Sequence, residues 1–520
     1  MAAIEVDPAN SAYSSVDGVL FDNTRTTLIQ CPAGRAGGLA IPASVTTIGN
    51  SAFENCSGLT TIAIPDGVTT LGANAFAGCA SLVGIVLPSS VSELGNDAFA
   101  NCSSLAEITL PGGLTTIGRQ AFIRCVALQS IFIPAGVTSI GDRAFSSCGA
   151  LAEILVDPAN PSFESVGGVL YNQTQTTLIH CPQALTGTIH IPAGVTSIPA
   201  SALSGVRNFT AILVDEESAS FSSLDGVLFD KSGTQLLRYP KGRAGDYTIP
   251  AGVTAIGDSA FSGCRSLTGI EMGEGIQSIG SDAFSYCTGL HQIVIGPGVS
   301  TIGNRAFHDC ENLASIQVHE ANTSFGSIVG VLYDAALSSL ILCPEGFAGP
   351  LTLSADVTQI ASDAFSRTKT LTAIHVDPAN AVFSSIDGVL FNQTQTTLVR
   401  CPAGKPGVLR IPATTTQLAN SALNGCGFLT EFEVAPGNPA YSSIDGLLYN
   451  KAGTALLDSP RAKSGVVFFS AAVIDVNFWA LASSPLVTAI EVDPAHPLFT
   501  SIDGVIYNKG VTVLLAFPGG

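Results

Sequence analysis

Residues 133–155 read IPAGVTSIGDRAFSSCGALAEIL, and the same 23-residue pattern recurs on both sides of them. Copies begin at Ile41, Ile64, Leu87 and Leu110 upstream and at Ile191, Ile249, Met272, Ile295, Leu353, Ile411 and Phe469 downstream, twelve in all with the shared form IPxxVTxIGxxAFxxCxxLTxIx. A second unit of 35 residues starts at Val6, Val156, Val214, Val318, Val376 and Val434, and a 29-residue version starts at Val492. Residues 376–410, VDPANAVFSSIDGVLFNQTQTTLVRCPAGKPGVLR, show it in full. With the first five residues, these units account for all 520, which leaves no stretch for a separate catalytic domain. The expectation is a single repeat array over residues 1–520.

Inside the 23-residue unit, Leu59, Ile62 and Ile64 alternate with Thr61 and Ala63, the period of a strand with one buried face. The following Pro ends the pairing because it lacks an N–H. Val45 and Ile48 open a return side, and Gly49 supplies a bend. Asn50 stands where a helix cap would, ahead of one helical turn through Ala52, Phe53 and Cys56. Each coil therefore reads as strand, bend, helical turn, bend. Stacking gives units too small to fold alone one continuous core. The extra residues of the 35-residue unit read as a hairpin on the return side: Val389 to Phe391 as one strand, Asn392 to Thr396 as the turn, Leu398 to Cys401 as the other. Asp387-Gly388 before it is a tight-turn signal, and Leu409 and Ile411 re-enter the stack facing inward. The fold class expected is a mainly β repeat solenoid, with a parallel sheet on one face, short helical turns on the other and inserted β-hairpins.

Composition narrows the partners. The chain is 46% hydrophobic but only 12% charged, too apolar for disorder and too weakly charged for a solvated coiled coil. The 21 basic against 40 acidic residues give a net charge of −19, which argues against a nucleic-acid or anionic-membrane surface. The opening MAAIEVDPAN has neither a basic nor an apolar signal segment, and no run reaches the roughly 18 apolar residues of a membrane span. No secretion signal and no membrane insertion are expected within this sequence.

The unit IPAGVTAIGDSAFSGCRSL, residues 249–267, resembles the BspA-like, Treponema-type leucine-rich repeat, and the interposed VDPAN and FSSIDGVLFN segments resemble those of many bacterial members. The resemblance covers essentially the whole chain. It implies a right-handed leucine-rich-repeat solenoid, an extracellular or cell-surface setting, and a role in adhesion or in binding host or matrix proteins. It carries over neither a ligand nor catalytic residues.

Candidate chemistry is mostly absorbed by the repeat. Nine of the 13 cysteines (Cys56, Cys79, Cys102, Cys125, Cys148, Cys264, Cys287, Cys310 and Cys426) share one slot, and Cys31, Cys181, Cys343 and Cys401 share another. Val206, Thr368, Ser484, Tyr239, Ser459 and Phe517 fill the same slots elsewhere, so reduced and buried packing groups are expected ahead of disulfides or zinc ligands. Phe53, Phe76, Phe99, Phe122 and Phe145 read as core rungs rather than stacking platforms. Asp17, Asp225, Asp387, Asp445 and Asp503 each precede Gly and read as turn residues, with calcium at the Asp-Pro-Ala-Asn loops the lesser alternative. Asn172, Asn208, Asn322 and Asn392 head N-x-S/T sequons, a weak signal. No cofactor, metal or catalytic group is expected.

What varies between copies carries the functional reading. The last outward strand position is Ala63, Val86, Thr109, Phe132, Leu155 and Leu213 in the first half, but Glu271, Gln317, His375, Glu433 and Glu491 later, with Val294 apolar among them. Val86, Thr109, Phe132, Leu155 and Leu213 are therefore candidate contacts for a protein or extracellular polymer such as a matrix polysaccharide. The competing reading is a spacer or stalk fragment of a larger surface protein with no ligand of its own.

Overall fold

The computed structural model describes residues 3–518, and the chain forms two compact units, residues 1–244 with 252–266 and residues 245–251 with 267–520. Each is a mainly β solenoid of stacked coils, and the only α-helices among the described residues are the five-residue Ala200–Ser204 and Phe478–Ala482.

In the first unit the inward residues predicted from the period are buried: Leu59 and Ile62 in strand Gly58–Ala63, then Ile85, Ile108, Ile131 and Ile154 in the strands of successive coils. These strands ladder in parallel pairs rather than as one sheet. Ala36–Ala40 pairs with Gly58–Ala63, Gly84–Val86 with Glu107–Thr109, and Ser130–Ile133 with Glu153–Val156. Between the second and third of these pairs a single hydrogen bond continues, from Gln129 N–H to Ala106 O at 3.3 Å. The unbroken sheet lies on the return side instead. There the two-residue strands at Thr47–Ile48, Thr70–Leu71, Glu93–Leu94, Thr116–Ile117 and Ser139–Ile140 pair in register, parallel throughout.

The expected face of helical turns does not form. Between Gly49 and Cys56 alternate backbone donors go to different places. Ala52, Glu54 and Cys56 donate within their own coil, to Gly49, Ser51 and Phe53. Ser51, Phe53 and Asn55 donate across to Ala73, Ala75 and Ala77 of the next coil, at 2.7–2.8 Å. Ser51 and Asn55 take left-handed backbone at φ 56° and 59°, which a helix forbids and which turns their N–H groups outward. A helix would use every donor on i−4; this ribbon of turns uses half of them to bind coil to coil. Both helices that do form sit in coils followed by a 35-residue unit, which supplies no such ribbon. Asn50 likewise caps its neighbour rather than itself, its Oδ1 accepting from Ala73 N–H at 2.9 Å.

The glycine column also has another cause than bending. A Cβ on Gly95 would come within 2.6 Å of the Ala73 nitrogen, and Gly72 and Gly118 are as tightly placed against the preceding coil. None of the three needs positive φ; they are small because two backbones meet there.

Each 35-residue unit contributes three antiparallel strands. Asp387 and Gly388, at φ 52° and 73°, form a two-residue turn that joins Phe383–Ile386 to Val389–Asn392, and Thr397–Arg400 follows. Thr397–Arg400 then pairs parallel with the return strand Gln417–Leu418, so the insert is welded into the return side of the stack. The Ser-rich first strand has no apolar alternation, and Leu409 and Ile411 are buried.

Candidate binding surface

The stacked coils carry two regular columns that decide what is available at the surface. Inside, Phe53, Phe76, Phe99, Phe122 and Phe145 stack ring on ring, with centroids 5.0–5.8 Å apart. All 13 cysteines are buried and free. Each ladder thiol donates to the Phe carbonyl of the preceding coil: Cys79 to Phe53, Cys102 to Phe76, Cys125 to Phe99 and Cys148 to Phe122, at 3.0–3.2 Å. Burial pushes the thiols of Cys102 and Cys148 up to about 12, so they act as neutral donors.

Outside, the five candidate residues line up along the strand face of the first unit. Val86 is 74% exposed, Phe132 47%, Leu155 42% and Leu213 42%, and Thr109 is exposed between them. Register fixes their order. Val86 lies opposite Thr109, and Phe132 opposite Leu155. Leu213 is not the next rung after Leu155: the strand Thr186–Ile191 that closes a 35-residue unit intervenes and sets exposed His190 beside Leu213. The closing strands stack as the sequence predicts, but their outward residues, such as His190, fall outside the 23-residue pattern that defines the surface column. Val83, also exposed, extends the apolar edge three residues before Val86.

Charge on this face is one-sided. Glu107 and Glu153 point outward in the strands carrying Thr109 and Leu155, and strands Gly58–Ala63, Gly84–Val86, Glu107–Thr109, Ser130–Ile133, Glu153–Val156, Thr186–Ile191 and Asn208–Val214 contain no Lys or Arg. In the second unit two of the equivalent positions, Glu271 and Glu433, are engaged with neighbouring strands. Thr248 donates to Glu271 at 2.9 Å, and Arg410 pairs with Asp387 at 2.8 Å and Glu433 at 3.1 Å. Val294 there is 38% exposed.

The remaining sequence signals resolve into structure. Asp157 Oδ1 accepts from Ala159 N–H, while Asn160 donates to Pro134 O and Val137 O and accepts from Ser162 and Phe163 N–H, so the Asp-Pro-Ala-Asn loop clasps the preceding coil. Asp17, Asp225, Asp387, Asp445 and Asp503 all sit at φ 50–52° in tight turns. Of the sequon asparagines, Asn172 and Asn392 organise Thr-rich turns and Asn322 holds Gly296 O and Val299 O, whereas Asn208 is exposed.

One group was not legible beforehand. Where the coil of 295–317 meets the 35-residue unit after it, Arg305, His308, Glu345 and Asp363 border a cavity of about 220 Å³. No turn ribbon follows there, and Glu345 Oε1 accepts from Asp309 N–H at 2.9 Å in place of a next-coil carbonyl. Burial, with Glu311 nearby, pushes the Glu345 carboxyl up to about 7. At the equivalent junction in the first unit, half-buried His180 packs against Phe145, and desolvation pushes its imidazole down to about 4.

A family model described as BspA type leucine rich repeat region matches residues 37–152 and 239–344, in six copies. The chain carries BspA-type leucine-rich repeats. Three solved structures similar to this BspA-type chain are a leucine rich cell surface protein from Faecalibacterium prausnitzii A2-165, the pneumococcal vaccine antigen PcpA and a leucine-rich repeat protein from Bacteroides ovatus ATCC 8483. The first is 25% identical over 82% of this chain and 96% of its own, with a TM-score of 0.42. The second is 18% identical over 71% and 83%, at 0.41, and the third 21% identical over 73% and 88%, at 0.33. No curated protein matches the BspA-type chain at significance. Among the described residues no helix is long and apolar enough to cross a membrane.

Proposed function

We propose that this BspA-type protein is a non-enzymatic binding scaffold of the bacterial cell surface or its surroundings, which holds a protein or extracellular polymer on the strand face of its first unit. The observation that carries this reading is the exposed apolar line of Val86, Phe132, Leu155 and Leu213 on a face whose packing is complete without it. Ile131 and Ile154 bury the inward side of the same strands, so Phe132 and Leu155 contribute area to the surface and little to the core. Exposed aromatic and aliphatic groups held on a rigid sheet are suited to anchor a partner, because they lose little freedom on binding. The acidic residues Glu107 and Glu153 beside them favour a partner with basic groups at its rim.

The test is capture of soluble extracellular matrix proteins and polysaccharides by the immobilised full chain, compared with the Phe132→Ser/Leu155→Ser variant. The scaffold reading expects at least one ligand bound by the wild type and lost by the variant, with melting nearly unchanged. A ligand bound equally by both would remove the strand face from the function, and no ligand across the panel would favour the spacer reading.

A further inference from the structure

Thirteen cysteines do not all share one environment. Ladder thiols such as Cys79 and Cys102 sit on the Phe carbonyl of the coil before. Two pairs, Cys31 with Cys56 and Cys401 with Cys426, are arranged differently, at the step from a 35-residue unit to the 23-residue coil after it. Both sulfurs of the first pair lie on one oxygen, Pro32 O, at 3.9 Å from Cys31 and 3.6 Å from Cys56. Both sulfurs of the second lie on Pro402 O, each at 3.7 Å. The same two slots hold Ser459 and Ser484 near the C-terminus, and those hydroxyls touch at 2.8 Å. At the other steps one thiol is replaced, as by Val206 beside Cys181 or Thr368 beside Cys343.

We propose that Cys31–Cys56 and Cys401–Cys426 are two disulfide-forming sites that cross-link neighbouring coils on exposure to a disulfide oxidant. Stacked coils about 4.8 Å apart bring the paired backbones into the range a disulfide spans. The thiols of each pair perturb each other's ionisation in opposite directions, so the pair releases its first proton more readily than its second. A thiolate of the pair attacks the oxidant's S–S bond and expels one small thiolate. The second protein thiolate then attacks that mixed disulfide and expels the other. The protein loses two S–H protons to the two departing thiolates, gains one S–S bond, and the oxidant is reduced to two thiols. Each bond closes 25 residues, which restricts the unfolded chain at both inserts. Cys56 and Cys426 also lie on the Cys31 and Cys401 carbonyl oxygens, at 3.5 and 3.4 Å, but only in these pairs do two thiols converge on one oxygen; Cys79, Cys102, Cys125 and Cys148 each lie on a separate Phe carbonyl and stay reduced.

The experiment incubates the reduced full chain with oxidised glutathione below its melting temperature, alkylates free thiols, and maps peptides without reduction. Loss of four thiols of 13, with cross-links at the two named pairs and a raised melting temperature, is the expected result. The Ser459→Cys/Ser484→Cys variant should gain a third cross-link under the same treatment. Cross-links among Cys79, Cys102, Cys125 and Cys148 to a similar extent, or Cys31, Cys56, Cys401 and Cys426 remaining alkylatable, would overturn the proposal.

Discussion

Two phenylalanines one coil apart should respond to truncation in opposite ways. Phe99 is fully buried, with Phe76 at 5.2 Å on one side and Phe122 at 5.5 Å on the other. Phe132 is 47% exposed on the strand face. Phe99→Ala removes the transfer energy of a buried ring and leaves a cavity that the stack cannot close, a loss of about 3–5 kcal/mol. Each lost stacking partner is included in that range at about 0.5–1.5 kcal/mol. Phe132→Ala removes roughly half the burial of such a side chain and leaves no cavity, about 1 kcal/mol. A repeat array need not unfold in one step, so urea titration should be followed by hydrogen exchange coil by coil. Phe99→Ala should accelerate exchange across the coils holding Phe76, Phe99 and Phe122, and Phe132→Ala should change little outside its own strand. Equal losses from both variants would refute the division into core column and surface line on which the functional reading stands.

Gly95→Ala should destabilise its coil strongly despite an ordinary φ, because the new methyl meets the Ala73 nitrogen at 2.6 Å; a neutral melting curve would contradict the close approach. Glu345 binds its proton more tightly folded than unfolded, so its contribution to stability falls as pH rises from about 4.3 to 7, by at most about 3 kcal/mol. Glu345→Gln should flatten that slope, as melting temperatures across the range would show. His180 runs the other way: held neutral by burial, it costs stability as pH falls from 6.5 towards 4, again at most about 3 kcal/mol, and His180→Leu should lessen the loss on acidification.

Most of the architecture is legible because packing repeats. Ile62, Phe53 and Cys56 recur at fixed spacing, and a residue that recurs in a buried slot announces the slot. The turn ribbon was not legible for a physical reason. Ser51 and Asn55 take left-handed backbone and donate hydrogen bonds to the next coil, a long-range arrangement that local helix signals around Asn50 imitate. The first strand of each insert, such as Phe383–Ile386, hides in Ser-rich sequence because its pairing is set by the Asp387-Gly388 turn and not by alternation. On the surface, the apolar line was visible as the column that packing leaves unspecified. His190 entered it only through register, and Glu345 emerged only where the ribbon stops, since its slot holds unrelated residues in other units.

Hydroxyl-radical footprinting of the full chain, alone and with a captured ligand, tests the central claim most directly. The account predicts that Phe132 and Leu155 are oxidised at rates typical of exposed side chains in the free protein, while Phe99 and Phe122 are spared, and that ligand protects Phe132 and Leu155 together. Protection confined to other faces, or Phe132 as inert as Phe99 in the free protein, would contradict it.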